Sequence, residues 1–231
     1  MVRTPEARAI AAFNHPHVCT LYDIGPNYLV MELIDGETLS ARIGKGPLPI
    51  DEVLRYGAQI ADALTEAHRA GIVHRDLKPG NVMISRHGMK VLDFGLAKMT
   101  EAAEPTITRP FAVMGTPAYM APEQFDGRHA DARSDLFALG LMLYEMTTGQ
   151  LPLPGASLGS VLHSNVNAAV TPPSKIRTNA PPPLDDLIAR LLAANPAQRP
   201  ARAAVVAAEL RSMADPKSPG IRTRLMWLAL P

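Results

Sequence analysis

The order of apolar and polar positions divides the chain into a short strand-rich beginning and a long helical remainder. Val18 to Ile24 and Tyr28 to Glu32 are strand-like runs around Gly25-Pro26-Asn27, and they predict a hairpin. Val82-Met83-Ile84 and Lys90-Val91-Leu92 predict a second hairpin across the turn-forming Arg86-His87-Gly88. Ahead of the first, Thr4 reads as an N-cap and Pro5 as a first helical position, with Ile10 and Phe13 on one apolar stripe. Asn14-His15-Pro16-His17 stops that short helix, because the residue before a proline avoids helical geometry.

Asp35 to Leu39 lead into another short helix. From Asp51 to Ala70, Val53, Tyr56, Ile60, Leu64 and Ala67 follow helical spacing. Asp51 and Glu52 suit the positive end of that helix, and Gly71 suits its close. Leu136 to Thr148, capped by Ser134-Asp135, is apolar on nearly every face and so belongs in the middle of a domain. Gly149-Gln150-Leu151-Pro152 breaks it. Leu184 to Ala194 and Ala201 to Met213 are two further amphipathic helices, while Pro172-Pro173 and Pro181-Pro182-Pro183 read as loops. No internal repeat is visible, and an α+β fold is expected, mainly helical after a beginning of one helix and a two-stranded hairpin.

Composition narrows the partners. With 47% hydrophobic residues over 231 positions the chain can build a substantial core. Lys plus Arg number 23 against 22 for Asp plus Glu, a net charge of +1, which gives no footprint for nucleic acid. Cys19 is the single cysteine, so no intramolecular disulfide forms, and a cytoplasmic location is expected. The N-terminus shows no apolar leader. Leu225 to Leu230 are apolar but too few to span a bilayer, and read as a partly docked end or the start of a longer tail.

The candidate chemistry is concentrated in His74-Arg75-Asp76-Leu77-Lys78-Pro79-Gly80-Asn81, with Asp93-Phe94-Gly95 beyond it. Asp76 can orient a hydroxyl and take its proton. Lys78 can neutralise charge on a moving phosphoryl group, and Asn81 and Asp93 are hard oxygen ligands suited to Mg²⁺. The predicted second hairpin carries Asn81 at one end and Asp93 at the other, so both can face one metal ion. His15, His17 and Cys19 also lie close in sequence, but a turn explains them better than a metal site does.

These two groups at this spacing resemble the catalytic and metal-binding loops of a protein kinase. Lys78, two residues after Asp76, matches the serine/threonine branch, so the sequence resembles a bacterial-type serine/threonine protein kinase. The resemblance implies a protein-kinase-like fold that uses ATP and Mg²⁺ to phosphorylate Ser or Thr of a protein substrate. By the same resemblance Met31 is the gatekeeper and Glu32 to Ile34 the hinge, where the backbone of Glu32 and Ile34 meets adenine and Met83 lines the nucleotide pocket. Thr116, in the Gly115-to-Glu123 docking loop, is expected to bond Asp76 and Lys78. Glu123 is expected to pair with Arg199, and Asp135 to hold the catalytic-loop backbone.

By the same resemblance His74 and Phe94, with Ile10 and Leu21, are expected to form a stacked apolar column, which makes His74 a packed residue rather than a base. Leu96 to Pro122 reads as an activation segment with Thr100, Thr106 and Thr108 available for phosphorylation and Arg75 as the expected receiver of a phosphothreonine, and the alternative is an ordinary solvated loop. Glu37 is placed to meet the ribose or a substrate side chain, and Glu145 to attract a basic residue; both also fit ordinary surface or helix-end roles.

The resemblance divides the chain into a remnant first lobe and hinge (1–34), a second lobe (35–214) and a tail (215–231). Glu6 takes the place of the glutamate that pairs with the family's ATP-binding lysine. Only five residues precede Glu6, and no Gly-x-Gly-x-x-Gly occurs. The glycine-rich loop and lysine strand are therefore not in this sequence, and impaired activity of the isolated chain is expected. The alternative is a non-catalytic kinase-like binding module or inactive fragment, with self-association through an exposed strand edge of the small lobe.

Overall fold

The computed structural model describes residues 14–25, 28–94, 117–152 and 170–215. The expected helix after Thr4 and the apolar run at Leu225 lie outside these residues. The first hairpin forms as expected. Strands β1 (Leu21–Ile24) and β2 (Leu29–Met31) pair antiparallel, Leu21 opposite Met31 and Ile24 opposite Leu29, with an irregularity between Leu21 and Asp23. Gly25 N–H closes the turn on Tyr28 O at 2.9 Å. Ahead of it, Val18 N–H donates to His15 O at 3.0 Å, the turn anticipated around Pro16.

A second sheet orders β3 (Gly36–Thr38), β4 (Val82–Ser85) and β5 (Gly88–Val91), all antiparallel. β4 and β5 form the second predicted hairpin, but β3 was not anticipated. It pairs because Gly36 has no side chain: a Cβ there would lie 1.9 Å from Ile84 O. Thr38 then caps helix α1 (Leu39–Ile43), its Oγ1 accepting from Ala41 N–H at 3.1 Å. The two sheets are joined by a parallel bridge between Val18 and Val91: Cys19 N–H donates to Val91 O at 2.8 Å, and Val91 N–H to His17 O at 2.9 Å.

The helical body explains the long apolar periodicities. Helix α2 (Ile50–Arg69) buries Val53, Tyr56, Ile60, Leu64 and Ala67, and Gly71 follows its end at φ 75°. After the short α3 (Pro122–Phe125) comes α4 (Ala132–Thr148), buried on nearly every side and packed against α2. Its N-cap is Asp131, not Ser134-Asp135: Asp131 is extended and its carboxylate accepts from Arg133 N–H at 2.7 Å. Ser134 and Asp135 sit inside the first turn and are buried.

The expected proline loops are also partly helical. Pro173 opens the single turn α5 (Pro173–Ile176), and Pro182 and Pro183 occupy the first turn of α6 (Pro182–Leu191). An unpaired N–H is normal there, so proline loses nothing. Helix α7 (Ala203–Ala214) packs along α2, and α6 packs on α4, where a Cβ on Gly140 would come 2.7 Å from Leu191 Cβ. Among the described residues no helix is long and apolar enough to cross a membrane.

Candidate active site

The site is built outward from α4. Asp135, in its first turn, accepts from the backbone N–H of His74 and of Arg75, each at 2.9 Å. His68, in the last turn of α2, contacts the same carboxylate through Nε2 at 2.7 Å. This anchor holds Arg75 at φ 70°, a left-handed conformation that a non-glycine residue adopts only where its surroundings enforce it. His74 is buried, its Nε2 2.9 Å from Leu92 O and its ring centroid 4.8 Å from that of Phe94. It is thus a packing residue, as expected, and it ties the His74–Asn81 loop to the segment bearing Asp93.

The loop carries three of the expected functional groups on one side. Lys78 Nζ lies 2.7 Å from Asp76 Oδ2. Asn81 Nδ2 donates to Asp76 O at 2.8 Å and to Asp76 Oδ2 at 3.1 Å. The amide is thereby oriented, and its Oδ1 is the ligand atom it can offer. Asp93 is brought alongside because Leu92 N–H donates to Asn81 O at 2.8 Å. Asp93 is exposed and has φ 56°, a second left-handed non-glycine residue. The hairpin thus places an amide oxygen and a carboxylate on neighbouring segments, a hard-oxygen set that fits Mg²⁺.

A buried layer supports this face. Glu123, in α3, pairs with Arg199 through two contacts of 2.6 and 2.8 Å, and Ser134 Oγ donates to Glu123 at 2.7 Å. Burial alone would raise the Glu123 carboxyl, but the bonds from Arg199 and Ser134 outweigh it and hold it below the usual glutamate range. Arg199 also donates to Ala193 O and Arg133 O, and its guanidinium lies 4.9 Å over the Phe137 ring. Gln124 ties the same segment to the loop by donating to Arg75 O at 2.8 Å. Among the described residues, Arg75 Nε is buried without a hydrogen-bond partner.

The expected hinge residues sit between the two sheets. Glu32 N–H donates to Thr20 O at 2.9 Å, and its carbonyl accepts from Cys19 Sγ at 3.7 Å. Met31 is exposed on β2, Ile34 is half-buried, and Met83 on β4 stands opposite Thr38 and Lys90. Thr116, Glu6, Ile10, Gly95, Thr100, Thr106 and Thr108 lie outside the described residues. Glu37 is paired with Lys45 at 2.7 Å. Glu145 accepts from Tyr119 O–H and is half-buried; burial raises its carboxyl, partly offset by that bond. Among the described residues no cluster of His, Cys, Asp and Glu could hold a metal ion by itself, and His17 Nδ1 is instead 3.0 Å from Met89 O.

Sequence reasoning missed His68, Gln124, Tyr119 and Lys90. His68 had one signal, a polar residue directly after Ala67 in the last turn of an otherwise apolar stripe. The others show only through partners distant in sequence.

The protein kinase domain profile matches residues 2–210. The chain belongs to the protein kinase domain family. It is 40% identical over 216 residues to the serine/threonine-protein kinase PknL of Mycobacterium tuberculosis, covering 91% of this chain and 54% of that protein. It is 38% identical over 224 residues to the serine/threonine-protein kinase PknB of Mycolicibacterium smegmatis, covering 93% of this chain and 36% of that protein. The chain therefore spans between about a third and about half the length of these relatives. The crystal structure of the Mycobacterium tuberculosis PknI kinase domain, solved as a cysteine-to-alanine mutant, superposes with a TM-score of 0.69 at 26% identity, over 90% of this chain and 75% of that one. The kinase fold and its α+β class, with a small strand-rich part and a helical body, are thus as the sequence led one to expect.

Proposed function

We propose that this kinase domain transfers the γ-phosphoryl group of ATP to a serine or threonine hydroxyl of a protein. The observation that carries the reading is the hydrogen-bonded set Asp76–Lys78–Asn81, with Asp93 on the adjoining segment. Asp76 orients the substrate hydroxyl and receives its proton as the new O–P bond forms and the bond to the ADP oxygen breaks. Lys78 places positive charge beside the group in transit, and its contact with Asp76 keeps the two side chains in register. Asn81 and Asp93 would hold Mg²⁺. That ion, when bound, neutralises charge on the phosphate oxygens.

The Glu32 carbonyl and the Ile34 backbone would receive adenine, beside Met31 and Met83. Thr116 would bond Asp76 and Lys78, and Arg75, with its buried Nε, would receive a phosphorylated threonine of the segment after Asp93. Because Glu145 is engaged by Tyr119 and Glu37 by Lys45, a strong preference for basic substrate sites is not expected. The substrate and location proposed are a cytoplasmic Ser/Thr protein.

The test is calorimetry of MgATP with the 231-residue chain, followed by transfer to a generic protein substrate. Binding that Asp93→Ala abolishes, with transfer that Asp76→Asn abolishes, supports the reading. A folded chain that binds no MgATP sinks it for this chain. A second reading, a partner-binding module, has one observation in its favour: Tyr22, Tyr28, Leu29, Val30, Met31 and Leu33 are all exposed around a two-stranded sheet. Concentration-dependent association of the chain would support self-pairing through that edge.

A further inference from the structure

One ion pair lies where the hinge meets the strand leading to Asp93. Lys90, on β5, reaches back with Nζ 2.7 Å from Glu32 Oε2 and 3.3 Å from Val18 O. Glu32 Oε2 also accepts Thr20 N–H at 3.2 Å, so the carboxylate gathers a strand, a linker and the hinge at one point. Neither partner is a loose surface group: the Lys90 side chain is 17% exposed and that of Glu32 25%. Burial alone would raise the Glu32 carboxyl, but bonds from Lys90 and Thr20 outweigh it and hold it below the ordinary range. The same β5 leads directly on to Asp93.

We propose that Lys90 is a positioning residue for nucleotide binding: by clasping Glu32 it fixes the hinge carbonyl relative to Asp93 and thereby sets the affinity for ATP. The inference rests on the kinase reading, because it takes the Glu32 backbone as the adenine-facing group. Its logic is preorganisation. A carbonyl already aimed loses less freedom when a ligand arrives, and a partly buried clasp of this kind limits that freedom in advance. Lys90 touches neither the substrate hydroxyl nor the moving phosphoryl group, so the turnover step should not depend on it.

The geometry explains why a side chain is needed here. β1 and β2 form a sheet of two strands, which has little independent stability. A single parallel bridge, Val18 with Val91, joins the start of this hairpin to β5 of the second sheet. Antiparallel pairing sets the end of β2 beside the start of β1, with Leu21 opposite Met31 and Glu32 N–H on Thr20 O, so Glu32 lies at the same end as that single bridge. Lys90 reinforces that end with a side chain that reaches both Glu32 and Val18 O.

The experiment compares the full chain with Lys90→Met, Lys90→Arg and the exchange Glu32→Lys/Lys90→Glu. Lys90→Met should weaken MgATP binding and raise KM for ATP about threefold to tenfold, with kcat at saturating ATP unchanged. Lys90→Arg, and at least in part the charge exchange, should restore the affinity. Amide exchange at Glu32 and Cys19, measured without nucleotide, should be faster in Lys90→Met than in the wild type. Unchanged affinity in a folded Lys90→Met, or a fall in kcat at unchanged KM, overturns the proposal. A wild-type chain that binds no MgATP removes the kinase reading and the affinity role with it. The amide-exchange comparison still decides whether Lys90 holds the hinge, and equal rates would sink that too.

Discussion

Around the His74–Asn81 loop the groups that hold the backbone are buried and satisfied from several sides. Asp135 serves two amides and a histidine, and Glu123 and Arg199 are paired with exposures of 6% and 0%. The β1–β2 hairpin is held differently, by a short parallel bridge and the partly buried Lys90–Glu32 pair, while Leu33 is 96% exposed and Tyr22 65%. In the first region removing one partner strands another in a low-dielectric interior, so the cost falls on stability. In the second, water can replace a lost partner, so the cost falls on where the Glu32 backbone sits. The chemistry proposed for Asp76, Lys78 and Asn81 is on the first framework, and the proposed nucleotide hinge is on the second.

The sharpest way to break the contrast is Arg199→Ala. It leaves the Glu123 carboxylate buried without its cation and should cost about 3–5 kcal/mol in urea unfolding. The pair also predicts an acid limb. The folded Glu123 carboxyl lies below its ordinary value of 4.5, so its contribution is present above that value and is lost as pH falls through the lowered one. In Glu123→Gln that part of the acid sensitivity should be missing from a stability–pH curve. Gly140→Val comes next: its Cβ meets Leu191 and Leu192, and overpacking of this kind should cost about 1–3 kcal/mol.

His68→Ala probes the link between framework and chemistry. The Asp135 carboxylate keeps its two amide donors but loses the third contact, so about 0.5–1.5 kcal/mol of stability should go. Because the freed carboxylate can shift under Arg75, kcat should fall while KM for ATP holds. His68→Gln, which retains a donor, should recover part of the rate. A variant that loses stability with kcat intact would confine His68 to packing.

The helices of the first region were legible because apolar period reports burial directly: Val53 to Ala67 and Leu136 to Met146 are where the pattern places them. The juxtaposition of the candidate loop residues was legible because they are neighbours in sequence and the hairpin joining Asn81 to Asp93 has its turn residues between. What could not be read was decided by distant partners. Gly36 looks like a loop glycine until Ile84 O is brought against it, and β3 follows from that approach. Asp131, Ser134 and Asp135 are all competent caps, and only the need for Ser134 at Glu123 and Asp135 at the loop leaves Asp131 for the helix end. Lys90 and His68 are ordinary polar residues in sequence, and their roles exist only across the fold.

The smallest effect sharpens the comparison from the other side. Leu33→Ser and Tyr22→Ser change side chains that the fold barely covers, so each should leave unfolding stability within about 0.5 kcal/mol. Neither side chain takes part in the Glu32–Lys90–Thr20 cluster, so the hinge amides should exchange as in the wild type. A larger loss, from a residue 96% exposed, would require that something covers it in solution. Repeating the melt across a range of protein concentrations then separates the cases. A deficit that grows with concentration points to a second copy seated on the hairpin, and one that does not points to contact within the chain. Either result would move the hairpin from the loosely held class to the buried one, and the contrast between the two regions would have to be redrawn.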